Sequence, residues 1–407
     1  MPKLTRSYSG LMVWDALILI PVGVLLLLGF TGLFSTSLAA PFFSSTFFRQ
    51  LIWLVLSLGL VWLLKLISPR VYMDQAYRLY ALMIVLLLLT YFMPAVSGGR
   101  RWLVIGGIGL QPSEFGKIIV VLALAKFLAE NQPKLERFHF ALLPLAIAGG
   151  PALLIIGQPD LGTAIIFMTT AFAMMYWAGV APMHLFVMAA PVISLLAGFN
   201  FYTFSIWMLL LVLVLYFSRS KLRWSVINFV VNASFGTLAP TLWNKLQPYQ
   251  QRRILTMLDA TSDPQGAGYQ VLQSRTAIGS GGFFGKGLGE GTQTHLRFLP
   301  VTDTDFIIAV IGEEFGFIAI LLALILYGWL LLRMIDRAAT TQYRSASLTI
   351  VGFATILLVH VFVNMGMATG LMPVTGLPLP FMSYGGSFLL TCLLMIGMTH
   401  YIIAVEP

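Results

Sequence analysis

The sequence predicts an all-α fold, a polytopic membrane helix bundle of about 10–12 transmembrane helices with one large polar loop, and three observations predict it. Of its 407 residues, 58% are hydrophobic and only 10% charged, with a mean hydropathy of +0.90. Apolar runs close to the roughly 20 residues that a bilayer core requires recur from one end to the other. These runs are continuous and rich in Leu, Ile, Val and Met, whereas barrel strands would be alternating segments of about 10 residues. A soluble globular domain is excluded on composition. Cys392 is the single cysteine, so no intramolecular disulfide can form, and His139, His184, His295, His360 and His400 show no ligand-like spacing.

In chain order the spans fall at about 12–33, 49–67, 78–94, 114–130, 140–156, 162–179, 184–199, 203–218, 224–244, 306–333, 346–368 and 385–404, twelve crossings. MPKLTRSYSG precedes the first run without a small-residue cleavage site beyond it, so that run is read as a retained helix. Two regions are weaker: 140–156 carries prolines, and in 184–218 the stretch FNFYTFSIW is either a tight turn or part of one bent helix. Lys3 and Arg6, Arg70 and Arg78, Lys134 and Arg137, Arg219, Lys221 and Arg223, then Arg333, Arg337 and Arg344 fall in alternate loops. The positive-inside rule makes those loops cytoplasmic, with both termini inside.

The opposite side then holds 95–113, the GQPDLG turn at 157–162, the long segment 245–305, and 369–384. Two of these segments carry cations against the rule: Arg100, Arg101, Lys245, Arg252, Arg253, Arg275, Lys286 and Arg297. Long loops translocate regardless of charge, yet the adjacent arginines of SGGRRW sit in a short one. Guanidinium groups at a membrane surface suit phosphate oxygens, so a phosphorylated lipid is the ligand class to expect.

Candidate chemistry gathers at the same ends of the spans. Glu114 and Lys117 in GIGLQPSEFGK share one helix face and can pair, as an ion pair that orients the preceding loop or as part of a site. Asp160 in GQPDLG is a helix cap or a site residue. The stretch PYQQRRILTMLDATSDPQGAGYQVLQSRTAIGSGG reads as an amphipathic segment on the membrane, with DPQGAGY as a turn in it, and GSGGFFGKGLGEGTQ as a flexible linker or an anion nest of backbone amides. In VTDTDFIIAVIGEEFG a helix cap would explain Asp303 or Asp305 equally, but not Glu313 and Glu314, about two turns on. Low dielectric and nearby carboxylates would raise Asp305 towards the range of a useful general base. TGLMPVTGLPLPFMSYGGS is Pro/Gly-rich backbone of the kind that lines cavities, with Asn364 in the preceding span as a polar neighbour.

The ordered set GGRRW…QPSE…K, QPDLGT, YQQRRILTMLD…SDPQGAGYQVLQS, GSGGFFGKGLGEGTQ, FLP…TDFIIAVIGEEFG, NMGM and PLPFMSYGGS resembles the SEDS family, the shape, elongation, division and sporulation proteins. GEGTQTHLRFLP and VTGLPLPFMSYGGS look closer to its RodA elongation branch than to its FtsW division branch. The resemblance implies a peptidoglycan glycosyltransferase in the bacterial cytoplasmic membrane, working on its outer face on lipid II. A class B penicillin-binding protein is the implied transpeptidase partner; membrane lipids surround the chain, and no nucleic acid is expected. The family's essential aspartate maps to Asp305, its Glu/Lys pair to Glu114 and Lys117, and its arginine-tryptophan motif to Arg101 and Trp102. Lys286 lies in a matching motif and joins Arg101, Trp102, Arg252, Arg253 and Arg275 as substrate-binding candidates, while Asp259 and Ser383 join the supporting set. Two departures stand out: Leu258-Asp259-Ala260 replaces the family's LDP, and the chain has room for an added hairpin at 184–223 where members usually have ten spans. The whole of 1–407 is then one integral membrane domain, with 245–305 as its large outer loop.

Under this reading, Asp305 takes the proton of one lipid II sugar hydroxyl. The freed oxygen attacks the anomeric carbon of another, with inversion, and undecaprenyl pyrophosphate departs. Arg101, Arg252, Arg253 and Arg275 would neutralise the leaving group, and a divalent cation, Mg2+ or Mn2+, would serve the same end. The rival reading is a lipid II flippase, for which ionisable residues should line a path through the bilayer and repeats should be visible. A noncatalytic scaffold is the third.

Overall fold

Helix follows the apolar runs throughout the described residues, which are 15–38, 40–94, 99–105, 108–218, 221–246, 248–259, 263, 266–295, 298 and 302–405 of a computed structural model. Lys3, Arg6, Arg219 and Arg297, part of DPQGAGY, and the Leu299–Pro300 pair lie outside them. The helices are α1 Ala16–Thr36, α2 Thr46–Leu64, α3 Pro69–Asp74, α4 Ala76–Thr90, α5 Pro112–Glu130, α6 Phe138–Gly157, α7 Leu161–Trp177, α8 Pro182–Ala197 and α9 Phe201–Phe217. They continue as α10 Leu222–Lys245, α11 Pro248–Leu258, α12 Ala267–Ser280, α13 Thr292–His295, α14 Ile307–Thr340, α15 Arg344–Ala368 and α16 Gly386–Val405. A small antiparallel hairpin, β1 Leu103–Ile105 and β2 Ile108–Leu110, precedes α5.

Each of the twelve predicted spans is a helix. Local chemistry sets their starts: the side chains of Asp15, Ser45, Asp160 and Asn200 accept backbone N–H bonds at the beginnings of α1, α2, α7 and α9. Asn200 resolves the FNFYTFSIW stretch: α8 and α9 are separate helices joined by a tight turn. Together with α10 they pack on one another around Ala190, Leu211 and Leu215, a satellite apart from the main core. Ser194 donates to Asn232 at 2.6 Å and accepts from Trp207 at 2.7 Å, tying the three helices through a buried polar knot.

In the main bundle α15 is the central helix, packed against α5, α7 and α14, while α16 packs on α2 and α14 on α1. The two described ends of the chain lie on one face, where Asp15 meets Arg333 at 3.1 Å and Arg337 at 2.7 Å. Burial alone would raise the Asp15 carboxyl, but the two guanidinium groups hold it below its ordinary value. Contacts join the described connecting segments at the other ends of the helices: Arg101 bonds Gln158 O, Ser274 of α12 bonds Ala368 O, and Tyr384 N bonds Asp303 O.

Two sequence expectations fail here. The segment 245–305 is not a plain loop, since α11, α12 and α13 form within it. DPQGAGY leads into α12, whose first turn is held by Asp263, accepting from Ala267 N at 3.0 Å. Gly268, Val271, Ser274 and Ala277, at a spacing of three, form a buried stripe of α12, a helix packed on α14, and Ser274 donates to Ala368 O of α15 at 2.8 Å. So small a stripe carries little apolar signal, and the sequence alone does not mark it as a helix buried in the bundle.

The span 306–333 is also not continuous. Gly316, with φ 77° and ψ −174°, breaks α14 into a short buried half and a long one that reaches Thr340. A side chain is strained at this φ, and a Cβ there would run into Gly285 N and Phe283 O. The glycine-rich loop stitches the break. Lys286 N and Gly287 N donate to Glu313 O and Glu314 O at 3.0 and 2.9 Å, while Phe317 N and Ile318 N donate to Gly282 O and Phe283 O at 2.9 and 3.2 Å. Two amides that the anion-nest reading would need are therefore spent on the orphan carbonyls of a broken helix. Structural stitching is what this loop does.

Candidate active site

Asp305 stands in the turn that leads into the short half of α14, and two elements, α15 and the loop after it, fasten the backbone around it. Asn364 of α15, fully buried, donates from Nδ2 to Asp305 O at 2.9 Å and to Leu377 O at 2.8 Å. Both partners are carbonyls, so the amide nitrogen must face them. Tyr384 N donates to Asp303 O at 2.8 Å from the loop after α15. Gly376, at φ 75°, leaves space for the carboxylate: a Cβ there would lie 3.6 Å from Asp305 Oδ2.

The Asp305 side chain itself is half-buried. Burial raises its carboxyl above the ordinary value, against a hydrogen bond from Thr304 and the charge of Arg253, which pull it down. The sequence expectation of a raised value holds, but burial rather than carboxylate repulsion is the cause. Two buried oxygens near this carboxylate, Asn364 Oδ1 and Thr375 Oγ1, have no protein partner among the described residues.

The loop 369–385 is held from all sides. Ser383, buried, accepts from Leu379 N at 2.8 Å, and its carbonyl accepts from Gln50 Nε2 at 3.1 Å; Gln50 Oε1 in turn accepts from Gly385 N at 3.1 Å. The Tyr327 hydroxyl of α14 donates to Pro380 O. Gly162, in the first turn of α7, lies so close to Leu377 that an added Cβ would meet its side chain at 2.9 Å.

Glu114 and Lys117 do pair, deep in the bundle. The Lys117 ammonium, fully buried, donates to both Glu114 oxygens at 2.8 and 2.9 Å. It also lies 3.0 Å from His360 Nε2, while His360 Nδ1 is 2.9 Å from Pro378 O. The pair thus reaches loop 369–385 through a histidine that a search for ligand spacing does not find. The available signal is different: an ionisable side chain inside an apolar span is suspect by itself. Gln50, a polar side chain inside α2, escapes the same search.

Arg101 is partly exposed, but its guanidinium is already engaged by the protein. Its Nε donates to Gln158 O at 2.9 Å and its Nη2 to Pro159 O, with Nη1 3.8 Å from Asp160. Asp160 is a helix cap as well, accepting from Thr163 N and Oγ1, each at 3.1 Å. Arg101 and Asp160 therefore hold the GQPDLG turn against the start of α7. Trp102 lies over the hairpin, where a Cβ on Gly109 would touch its ring at 3.4 Å.

The buried glutamates are accounted for by the stitched break. Glu313 accepts from Lys286 Nζ at 2.7 Å, Thr294 Oγ1 at 2.6 Å, Gln293 N at 3.0 Å and Thr294 N at 3.2 Å. Lys286, expected to meet substrate, is committed to this network, because a fully buried carboxylate demands a counter-charge. Glu314 accepts from Ser35 of α1. Neither glutamate touches Asp305 in any described contact.

Of the expected cations, Arg252, Arg253 and Arg275 stay exposed. Arg253 is near enough for its charge to act on Asp305. Arg275 of α12 reaches over Gly370, its Cδ 3.7 Å from where a Cβ would stand. Asp259, just after α11, is exposed too. Among the described residues no three His, Cys, Asp or Glu side chains converge on one point. A half-buried carboxylate at the turn before a buried half-helix, on a backbone held by Asn364 and Tyr384, can accept a proton from a hydroxyl brought beside it.

Comparison with known proteins accords with this arrangement. A family model for cell cycle proteins, FtsW/RodA/SpoVE, matches residues 11–204 and 183–406. The peptidoglycan glycosyltransferase MrdB of Escherichia coli (strain K12) is 36% identical over 348 residues, covering 84% of this chain and 82% of its own. The peptidoglycan glycosyltransferase RodA of Treponema pallidum is 30% identical over 427 residues, covering 96% and 97%. Among solved structures, a chain described under the coordination of polymerization and crosslinking by a peptidoglycan synthase complex superposes with a TM-score of 0.75 at 29% identity, over 97% of this chain and 99% of that one. The rod shape determining protein RodA of Thermus thermophilus gives 0.65 at 27% identity, over 97% and 98%. With these matches over the length of a polytopic helical bundle, the chain belongs to the FtsW/RodA/SpoVE family of cell cycle proteins.

Proposed function

We propose that this protein is a peptidoglycan glycosyltransferase that polymerises lipid II during cell elongation, with Asp305 as its general base. The observation that carries the proposal is the setting of Asp305: a half-buried carboxylate of raised pKa whose backbone is pinned by Asn364 and Tyr384, in a family whose named relatives bear that activity. In the reaction, the Asp305 carboxylate accepts the proton of the acceptor sugar hydroxyl. The oxygen bonds to the anomeric carbon of the donor, and the bond from that carbon to the pyrophosphate oxygen breaks. One displacement inverts the centre. Arg252 and Arg253 offer charge to the departing pyrophosphate. A divalent cation would be held mainly by substrate phosphates, since no protein cage of three donors stands among the described residues, and no step here runs through one.

The positive-inside pattern supports placing the Asp305 face outside the cytoplasmic membrane. The solved neighbour belongs to a peptidoglycan synthase complex in which polymerization and crosslinking are coordinated, and this supports a class B penicillin-binding protein as the crosslinking partner. The satellite helices α8 and α9 are the hairpin we take as added relative to a ten-span bundle. Purified chain with its partner, given lipid II in detergent, should form glycan polymer. Asp305→Asn should slow it by about 100- to 10,000-fold, the range of general base catalysis. Wild-type rates from Asp305→Asn would remove the base assignment, and no polymer from the wild-type complex would remove the activity and favour transport or scaffolding.

A further inference from the structure

His360 and Asn364 stand one turn apart on α15, both fully buried, and so share a face. Polar side chains inside a span are costly and mark function. Their bonds go to consecutive carbonyls of one segment: Asn364 to Leu377 O at 2.8 Å, and His360 Nδ1 to Pro378 O at 2.9 Å. With prolines at 373, 378 and 380, this segment has few amides of its own to build a ladder, so its carbonyls need donors from outside.

The partners also fix the histidine tautomer. The Lys117 ammonium has donors only, so His360 Nε2 at 3.0 Å must accept, and Nδ1 must carry the proton that goes to Pro378 O. Two bonds to Glu114 and one to His360 use all three ammonium donors. The ion pair is therefore built to orient an imidazole. Two residues before Pro378, Gly376 borders the Asp305 carboxylate at 3.6 Å from its Cβ position.

We propose that His360 is a positioning residue for the reaction centre: oriented by Glu114 and Lys117, it anchors Pro378 and, with Asn364, fixes the 374–378 segment against Asp305. The kinetic part of this inference rests on the glycosyltransferase reading. The anchor itself does not.

The test compares His360→Leu, which keeps bulk and loses both bonds, with His360→Gln, whose carboxamide can accept from Lys117 and donate to Pro378. With the full chain, its transpeptidase partner and lipid II, His360→Leu should lower kcat by about 10- to 100-fold, as small misplacements at reaction centres do, with KM within about twofold. His360→Gln should return kcat to within about threefold, because it restores both bonds. Hydrogen exchange at the amides of Val374, Thr375, Gly376, Leu377 and Leu379 should be about tenfold faster in His360→Leu and near wild type in His360→Gln. Unchanged exchange in His360→Leu overturns the anchor. A Gln variant as impaired as Leu does so too, and would assign the residue to packing on Phe388, whose ring centroid lies 4.6 Å away. Should His360→Leu fail to fold, wild-type exchange and kcat in His360→Gln support the anchor, and their loss refutes it. If wild-type complex makes no polymer, the activity reading falls and the exchange arm alone decides the anchor.

Discussion

Replacing Lys117 by Met tests whether the centre of the bundle depends on a charge pair. In the wild type the ammonium is fully buried and Glu114 is 5% exposed, so the substitution strands a carboxylate away from water. Breaking a buried pair from one side costs about 3–5 kcal/mol, mostly because the remaining charge is uncompensated. Lys117→Met with Glu114→Leu removes both charges, and apolar replacement of a buried pair is close to neutral. What the double variant still lacks is the donor to His360 Nε2, an unsatisfied buried acceptor worth about 1–3 kcal/mol. That loss is common to both variants and cancels between them, so the double variant should be more stable than Lys117→Met by about 3–5 kcal/mol, although it carries one more substitution. It should still polymerise slowly, because the histidine has lost what orients it. Denaturant or thermal unfolding in detergent reads the stabilities, and lipid II polymerisation reads the rate. A double variant less stable than Lys117→Met, with losses that simply add, would refute the reading of a coupled buried pair.

Gly316→Ala forces a side chain into positive φ and against Gly285 N and Phe283 O. Backbone strain of about 1–3 kcal/mol plus displacement of the stitched loop should lower the unfolding midpoint in detergent, and an unchanged midpoint would mean that the break is not needed. The rate should fall as pH drops through the raised Asp305 value, since the base works only when deprotonated; the acidic limb then lies above the ordinary aspartate value of 3.8. Arg253→Gln removes a charge that favours the carboxylate, so the limb should move further up in pH; a downward shift in the pH–rate profile would contradict the proximity of Arg253 to the base.

The bundle was legible because hydrocarbon thickness imposes one length and one polarity on every span, and the twelve apolar runs show both. Asp305, Asn364 and the Glu114–Lys117 pair were legible as polar residues at or inside span ends and Ser383 only through its motif, and the structure joins them through loop 369–385. Arg101 and Lys286 were misassigned for a shared reason. A cation on a loop is a phosphate ligand or the partner of a carbonyl or carboxylate, and only tertiary contact tells which: Gln158 O and Pro159 O for the first, Glu313 for the second. The α14 break was hidden because IGEEFGFIAIL keeps its apolar content straight through Gly316, so hydropathy cannot see a change of φ.

The same break helps to explain how a carboxylate can be both fixed and reachable. A continuous span would place the residues after Asp305 among lipid tails, where the turn could shift with the bilayer. Here residues 307–314 are buried in protein, their terminal carbonyls bound by the glycine-rich loop and that loop held by Glu313. The short half-helix is thus part of the core, and Asp305 sits at its free end, with Asn364 on its own carbonyl and Tyr384 on the carbonyl two residues before. Such backbone restraint orients the base before substrate arrives, which is where preorganised catalysis gains its advantage. Arg252 and Arg253 of α11 are exposed instead. If Asp305 and these arginines act as proposed, a lipid-linked pyrophosphate would meet a base fixed by backbone bonds and cations that stand open to it.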